Sequence, residues 1–259
     1  MSLIRAEYRD HVGTITFNHP ETRNSLSNAL LEQFMEAIQE FEGQKARAMI
    51  VRAPAGCKVW SSGFDVKELP DPGRDPLSYN DPLERLLRAI QRFPGPVIAM
   101  IEGSVWGGAC DIAVTCDIAI GCHSAAFAIT PAKIGVPYNS TGILHFINVV
   151  GVRIAREMFF TAQPINAERA LQVGILNHLV PAEVLESFTC SVARQITENS
   201  PLSISVIKEQ LRILGNSYVI SPETFERIQG LRRTVYDSQD YREGKAAFFE
   251  KRKPTFTGE

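Results

Sequence analysis

The sequence predicts an α/β fold that gives way to a helical C-terminal region. Three observations carry that expectation. Apolar runs of strand length recur in the first half, at residues 11–17, 48–53 and 97–101. Two glycine-bearing segments follow strand signals, and each ends where the next element begins. They are Ser61-Ser62-Gly63-Phe64-Asp65 and Gly103-Ser104-Val105-Trp106-Gly107-Gly108-Ala109-Cys110-Asp111. After about residue 140 the strand signals fade, and helical periodicity dominates from residue 152 to residue 249.

The elements read in order as follows. Residues 11–17 alternate apolar and polar, as a half-buried strand does, and run into the turn Asn18-His19-Pro20. Ser27 is placed to cap a helix whose apolar face includes Phe34, Ile38 and Phe41. Residues 48–53 are apolar without alternation, as in a strand buried on both faces. Residues 70–76 are dense in proline, glycine and aspartate and predict a surface loop able to act as a lid. A helix is predicted over 83–93, stopped by Pro94-Gly95-Pro96, then a buried strand over 97–101. Residues 112–115 read as helix and 116–120 as a short strand. In the second half Pro164, Pro181, Pro201 and Pro222 fall near predicted helix starts, where proline is tolerated.

Composition bounds the function. A chain of 259 residues with 44% hydrophobic and 22% charged residues can bury a large core. A net charge of −2 offers no basic footprint for nucleic acid or an acidic membrane. No apolar stretch is long enough to span a bilayer, and the N-terminus lacks a secretory pattern, so a cytoplasmic protein is expected. The five cysteines (57, 110, 116, 122 and 190) include no Cys-x-x-Cys pair and read as reduced, mostly buried thiols. The five histidines show no pair at metal-ligand spacing; structural or surface roles are expected, and no metal site.

Glycine lets a main-chain N–H come close to a ligand because no Cβ blocks the approach. Two such N–H groups aimed at one point form an oxyanion hole, which stabilises charge developing on a carbonyl oxygen.

The motifs together resemble the crotonase (enoyl-CoA hydratase/isomerase) superfamily over nearly the whole chain. The matching marks are Asn18-His19-Pro20 with Arg23-Asn24, Ser62-Gly63-Phe64-Asp65, Trp106-Gly107-Gly108-Ala109-Cys110-Asp111 and Cys116-Asp117. Further marks are Phe127, Lys133-Ile134-Gly135, Gly174-Ile175-Leu176 and Lys251-Arg252-Lys253-Pro254. The resemblance implies a spiral of β-β-α turns over residues 1–195 that carries an acyl-CoA site. A helical region over 196–259 would mediate trimers, often paired into hexamers. It implies an acyl-CoA thioester as partner, with coenzyme A present only as part of the substrate and no separate cofactor. By position, the amides of Phe64 and Gly108 form the oxyanion hole. Ser62, Gly63, Phe64, Asp65 and Val66 line the pantetheine channel, Thr130 approaches the thioester, and Lys251 meets a CoA phosphate, with Arg23 and Lys253 as further candidates.

Hydratases of the superfamily position water with two glutamates. Those places are held here by Asp111 and Pro131. Proline cannot ionise, so paired acid–base hydration is not expected, and Asp111 reads as a loop support or an unused relic. The segment 130–139, with Tyr138, resembles instead the methylmalonyl-CoA decarboxylase branch, as do 75–79, 235–238 and 249–254. The expected reaction is biotin-independent loss of CO2 from a malonyl-type thioester, methylmalonyl-CoA to propionyl-CoA, with Tyr138 turning the carboxylate out of the thioester plane. Where that branch carries histidine this chain has Phe64. The alternatives are a hydratase or isomerase using Asp111, and a catalytically silent acyl-CoA-binding protein.

Overall fold

The computed structural model describes residues 2–69, 78–215 and 221–259. The expected lid at 70–76 lies outside the described residues. Among the described residues, ten strands form two sheets. The larger contains β1 (Ile4–Arg9), β2 (Val12–Phe17), β3 (Ala48–Arg52), β5 (Val97–Ile101), β7 (Ile118–Cys122) and β10 (His178–Val180), in that spatial order. The smaller contains β4 (Val59–Ser61), β6 (Ser104–Trp106), β8 (Ala126–Ala128) and β9 (Ile165–Asn166). β1 pairs with β2 and β8 with β9 antiparallel; all other pairings are parallel.

The chain visits the sheets alternately. β3 enters the large sheet, β4 the small one, and α2 (Pro82–Arg92) follows. The cycle repeats as β5, β6 and α3 (Gly108–Thr115), and again as β7, β8 and α4 (Ser140–Thr161). Each cycle adds one parallel strand to each sheet, which is the β-β-α spiral.

The unbroken apolar runs in the large sheet have a direct cause. On β5, Val97, Ala99 and Ile101 join the main core, while Ile98 and Met100 face the other way. There they pack against α6 (Ala182–Thr197) through Leu185 and Ala193. β3 divides likewise, with Met49 and Val51 on one side and Ile50 on the other. With both faces covered, no position is left for a polar residue to alternate. The division expected at residue 195 falls inside α6.

Several elements differ from the sequence expectation. The whole small sheet and β10 carry no readable signal, because segments of two or three residues cannot display a period; β1 carries none because only Ile4 of its six residues is buried. β7 begins at residue 118, two later than expected, because Cys116 and Asp117 close the preceding helix. There the Asp117 amide donates to Val97 O (2.8 Å) and its carboxylate accepts from the Val97 amide (2.7 Å). α3 starts at Gly108, inside the glycine segment. α4 starts at Ser140 and is broken at Gly151 (φ 73°), so the expected start at 152 marks its second half. As expected, Ser27 caps α1 (Asn28–Gly43), accepting from the Leu30 amide (3.3 Å). α7 (Pro201–Gly215), α8 (Pro222–Tyr236) and α9 (Gln239–Phe249) complete the C-terminal region. Tyr236 and Tyr241 pack with Leu69 and Val136 and fasten α8 and α9 to the spiral.

Trp60 ties the sheets together. It lies on β4, is fully buried, meets Phe17 edge-on (4.9 Å between centroids) and donates from Nε1 to the Met100 carbonyl on β5 (2.9 Å). Trp60→Ala leaves a cavity and an unpaired carbonyl. Urea unfolding should show a loss of about 3–5 kcal/mol; a change below about 1 kcal/mol would show that the sheets hold together without it.

Candidate active site

The two glycine segments meet because β4 and β6 are parallel neighbours and end side by side, with Ser61 opposite Val105. After β4, Ser61 Oγ donates to Asn24 O (2.7 Å) and accepts from the Gly63 amide (3.2 Å), which shapes the turn. Gly63 has φ +84°, and a Cβ there would collide with the carbonyl oxygen of Trp106 and sit 3.3 Å from the Gly108 amide nitrogen. Only glycine allows this approach. After β6, Gly107 (φ 52°, ψ −122°) turns the chain into α3.

Two donors are left over. Leu26 and Phe64 form a parallel bridge in which the Leu26 amide donates to Gly63 O (2.8 Å) and the Asp65 amide to Leu26 O (3.2 Å). That pattern passes over the Phe64 amide. Gly108 is the first residue of α3, so its amide has no partner within the helix. Neither amide donates a hydrogen bond among the described residues. A Cβ on Gly108 would lie 3.7 Å from Phe64 N, so the two donors are neighbours. The positive end of α3 lies at the same place.

Phe64 and Gly108 line one cavity of about 660 Å³. Of the other predicted positions, Ser62, Asp65, Val66, Thr130 and Tyr138 line it, as do Arg23, Asp111 and Pro131. Gly63 is behind the wall, where it sets the approach of the two loops. Lys251 (φ 55°) follows α9, is exposed, and does not line the cavity; Phe248, one turn earlier, does. Lys67 and Lys133 also line it; Lys133 belongs to a family mark in the sequence, and Lys67 was not singled out by sequence.

Tyr138 stands on the loop before α4, its ring edge-on to Phe159 (5.0 Å) and Phe146 (6.3 Å). Its hydroxyl donates to Gly107 O at 3.4 Å, a long bond on the peptide unit whose N–H belongs to Gly108. Burial, reinforced by the nearby Asp111, Cys110 and Glu84, raises its pKa well above the ordinary 10.0, so the phenol is neutral.

Behind Tyr138 lies a buried ionisable cluster that sequence reading did not assemble. Asp111, 1% exposed, accepts from His145 Nδ1 at 2.7 Å; His145 is 7% exposed. Asp111 is therefore held by a buried partner. It lies one helical turn from Gly108 on the same face of α3. Glu84 of α2 accepts from Asn139 Nδ2 and lies 3.9 Å from Arg88. Burial, with the charge of Asp111, pushes the Glu84 pKa up to about 7. Burial opposes charge on His145, but its bond to Asp111 and the charges of Asp111 and Glu84 outweigh this and raise its pKa. Gly142 makes the crowding possible: a Cβ there would strike the Tyr138 ring, Asn139 Oδ1 and Asp111 Oδ2. One signal for Glu84 was present, since it sits among Leu83, Leu86 and Leu87 on the buried face of an amphipathic helix.

The model of the enoyl-CoA hydratase/isomerase family matches residues 7–259. The methylmalonyl-CoA decarboxylase of Escherichia coli K12 is 50% identical over 247 residues, covering 95% of each chain. A structure of methylmalonyl-CoA decarboxylase in complex with 2-nitronate-propionyl-CoA superposes with a TM-score of 0.97 at 48% identity, covering 99% of both chains. One complexed with 2S-carboxypropyl-CoA gives the same TM-score and identity, covering 100% of this chain and 99% of that one.

The cluster makes stability depend on pH. A glutamate ionises near 4.5 in an unfolded chain, whereas folded Glu84 keeps its proton to about 7. The folded state then holds more protons in that window, and stability falls as pH rises through it. Glu84→Gln should remove on the order of 3 kcal/mol of this fall. Unfolding by urea at pH 5 and pH 8 measures it, and an unchanged slope would place its origin elsewhere. The raised pKa of His145 acts in the same direction above 6.5 and keeps its own share.

Proposed function

The chain belongs to the enoyl-CoA hydratase/isomerase family, and from that premise we propose that it decarboxylates methylmalonyl-CoA to propionyl-CoA. The observation that carries the reading is the pair of unpartnered amides, Phe64 and Gly108, side by side on one cavity with a neutral phenol. Loss of CO2 leaves an electron pair on the α-carbon, which delocalises onto the thioester oxygen as an enolate. Donors held at that oxygen lower the barrier, each by roughly 3–4 kcal/mol in comparable sites. The thioester is its own electron sink, so the chemistry calls for neither biotin nor a metal ion.

The breaking bond must stand perpendicular to the thioester plane to overlap the carbonyl π system. Tyr138 directs the carboxylate there with one hydrogen bond. Its present bond to Gly107 O is long and gives way readily to a charged acceptor. A cation in its place would hold the ground-state carboxylate too tightly. Hydration is disfavoured on geometry as well as composition. Pro131 takes the place of one of the two carboxylates that paired hydration needs, and Glu84, the other buried carboxyl nearby, does not line the cavity.

Ser62, Asp65 and Val66 line the pantetheine channel and Thr130 the thioester end. Arg23 and Lys133 on the wall, with Lys251 beyond α9, meet the CoA phosphates. The working form is a homotrimer or homohexamer, supported by apolar side chains exposed on α7 and α8, among them Leu202, Leu214 and Leu231. A cytoplasmic location is supported by five free cysteines. Among the described residues no helix is long and apolar enough to cross a membrane.

Incubation with methylmalonyl-CoA should release propionyl-CoA, followed by mass; absence of turnover with hydration of crotonyl-CoA instead would overturn the reading. Tyr138→Phe should lower kcat about 10- to 100-fold, the worth of a hydrogen bond to a charged group, while CoA binding persists. An unchanged kcat would remove Tyr138 from the reaction.

A further inference from the structure

Decarboxylation consumes a proton: the enolate becomes propionyl-CoA only when its α-carbon is protonated. Lys67, Lys133 and Thr130 line the cavity as well, but beside Tyr138 the donors are few. Phe64 has no exchangeable side-chain proton. Tyr138, with its pKa raised well above 10.0, gives up a proton reluctantly. The cavity is otherwise walled on this side by Leu83, Val136 and Pro137.

A second, polar groove of about 200 Å³ lies on the far side of this wall, lined by Gln91, Thr115, His145, Lys208 and Arg212 among others. Asp111 lines the substrate cavity and not the groove; His145 lines the groove and not the cavity. The two residues join across the wall through the 2.7 Å bond between Nδ1 and Oδ1. Asp111 Oδ2 has no hydrogen-bond partner among the described residues. On the groove side His145 Nε2 lies 2.9 Å from the Gln91 carboxamide, and Thr115 Oγ1 lies 3.2 Å from Nδ1. A carboxamide suits both states of the ring, donating to a neutral nitrogen or, turned over, accepting from a protonated one.

We propose that Asp111 and His145 form a proton relay from this outer groove to the α-carbon of the enolate. The inference rests on the decarboxylase reading. In the relay step protonated His145 passes its Nδ1 proton to the Asp111 carboxylate; the enolate electron pair takes that proton from Asp111, forming the Cα–H bond and restoring the carboxylate. Nδ1 regains a proton from the Thr115 hydroxyl 3.2 Å away, which takes one from water in the groove, while Nε2 keeps its proton on the Gln91 carboxamide. One solvent proton enters for each CO2 released. Asp111 is the catalytic acid and His145 a positioning residue that reloads it. The charged and titratable groups facing the pair include Glu84 and Arg88 from α2, Tyr138 from the loop before α4, Asp117 after α3, and Lys208, which pairs with Asp117 at 2.8 Å, and Arg212 from α7.

The test is the stereochemical course in D2O. Decarboxylation by the unaltered enzyme should give propionyl-CoA with one deuterium at the α-carbon in a single configuration, because the relay reaches one face. Asp111→Asn should lower kcat about 100-fold and His145→Gln about tenfold, within the range for general acids. KM should stay unchanged, and the deuterium should spread over both configurations. If the unaltered enzyme decarboxylates but gives a racemic label, or if folded variants keep rate and configuration, the relay falls while the decarboxylase reading stands. If the unaltered enzyme does not decarboxylate, both fall. The label in the unaltered enzyme decides the matter even where a variant fails to fold.

Discussion

The site depends on one backbone contact: the approach of Gly63 to the Trp106 carbonyl. It exists because β4 and β6 are parallel neighbours in the small sheet and end at the same level. A side chain at position 63 would wedge the loops apart. The Phe64 and Gly108 amides would separate, and α3 would no longer begin beside the first loop. Trp60 fixes the level of this contact by hydrogen bonding from the small sheet to β5 of the large one. The spiral thus does more than supply a core. Each β-β-α cycle places the end of a short strand beside its counterpart in the next, and two such ends form the donor pair.

The second organising feature is the buried group of Glu84, Asp111, His145 and Asn139. Burying ionisable groups costs several kcal/mol unless they pair and hydrogen-bond. Here Asp111 pairs with His145 and Glu84 accepts from Asn139, so the cluster is largely satisfied. Its consequences reach the cavity. The same carboxylates help keep the Tyr138 phenol neutral, which fits it to orient an anion without gripping it. Pro131 removes one acid–base group from the cavity, while the cluster behind Tyr138 retains ionisable chemistry at the wall. A site built on fixed dipoles and one neutral phenol suits a reaction whose charge moves from a carboxylate to a thioester oxygen.

The legibility of the fold varied with element length and burial. β3 and β5 were legible because both faces are covered, which leaves unbroken apolar runs of five residues. α1 was legible from its cap and its apolar spacing. The small sheet was not, since its strands have two or three residues and are defined by their neighbours. At the site, the glycine segments, Asp111, Pro131 and Tyr138 could be singled out in the chain. Glu84 and His145 could not be joined to Asp111, because they come from α2 and α4 and meet only after α3 packs between them.

By itself the sequence determined the α/β class, the helical second half, the family pattern and the residue types available for chemistry. These depend on local spacing and on which side chains can carry a proton or leave an amide accessible. Only the tertiary structure decided that two amides stand unpartnered side by side, that Asp111 is paired, and that two cavities share one wall. Those are relations between segments tens of residues apart, set by strand register and helix packing, and no local pattern encodes them.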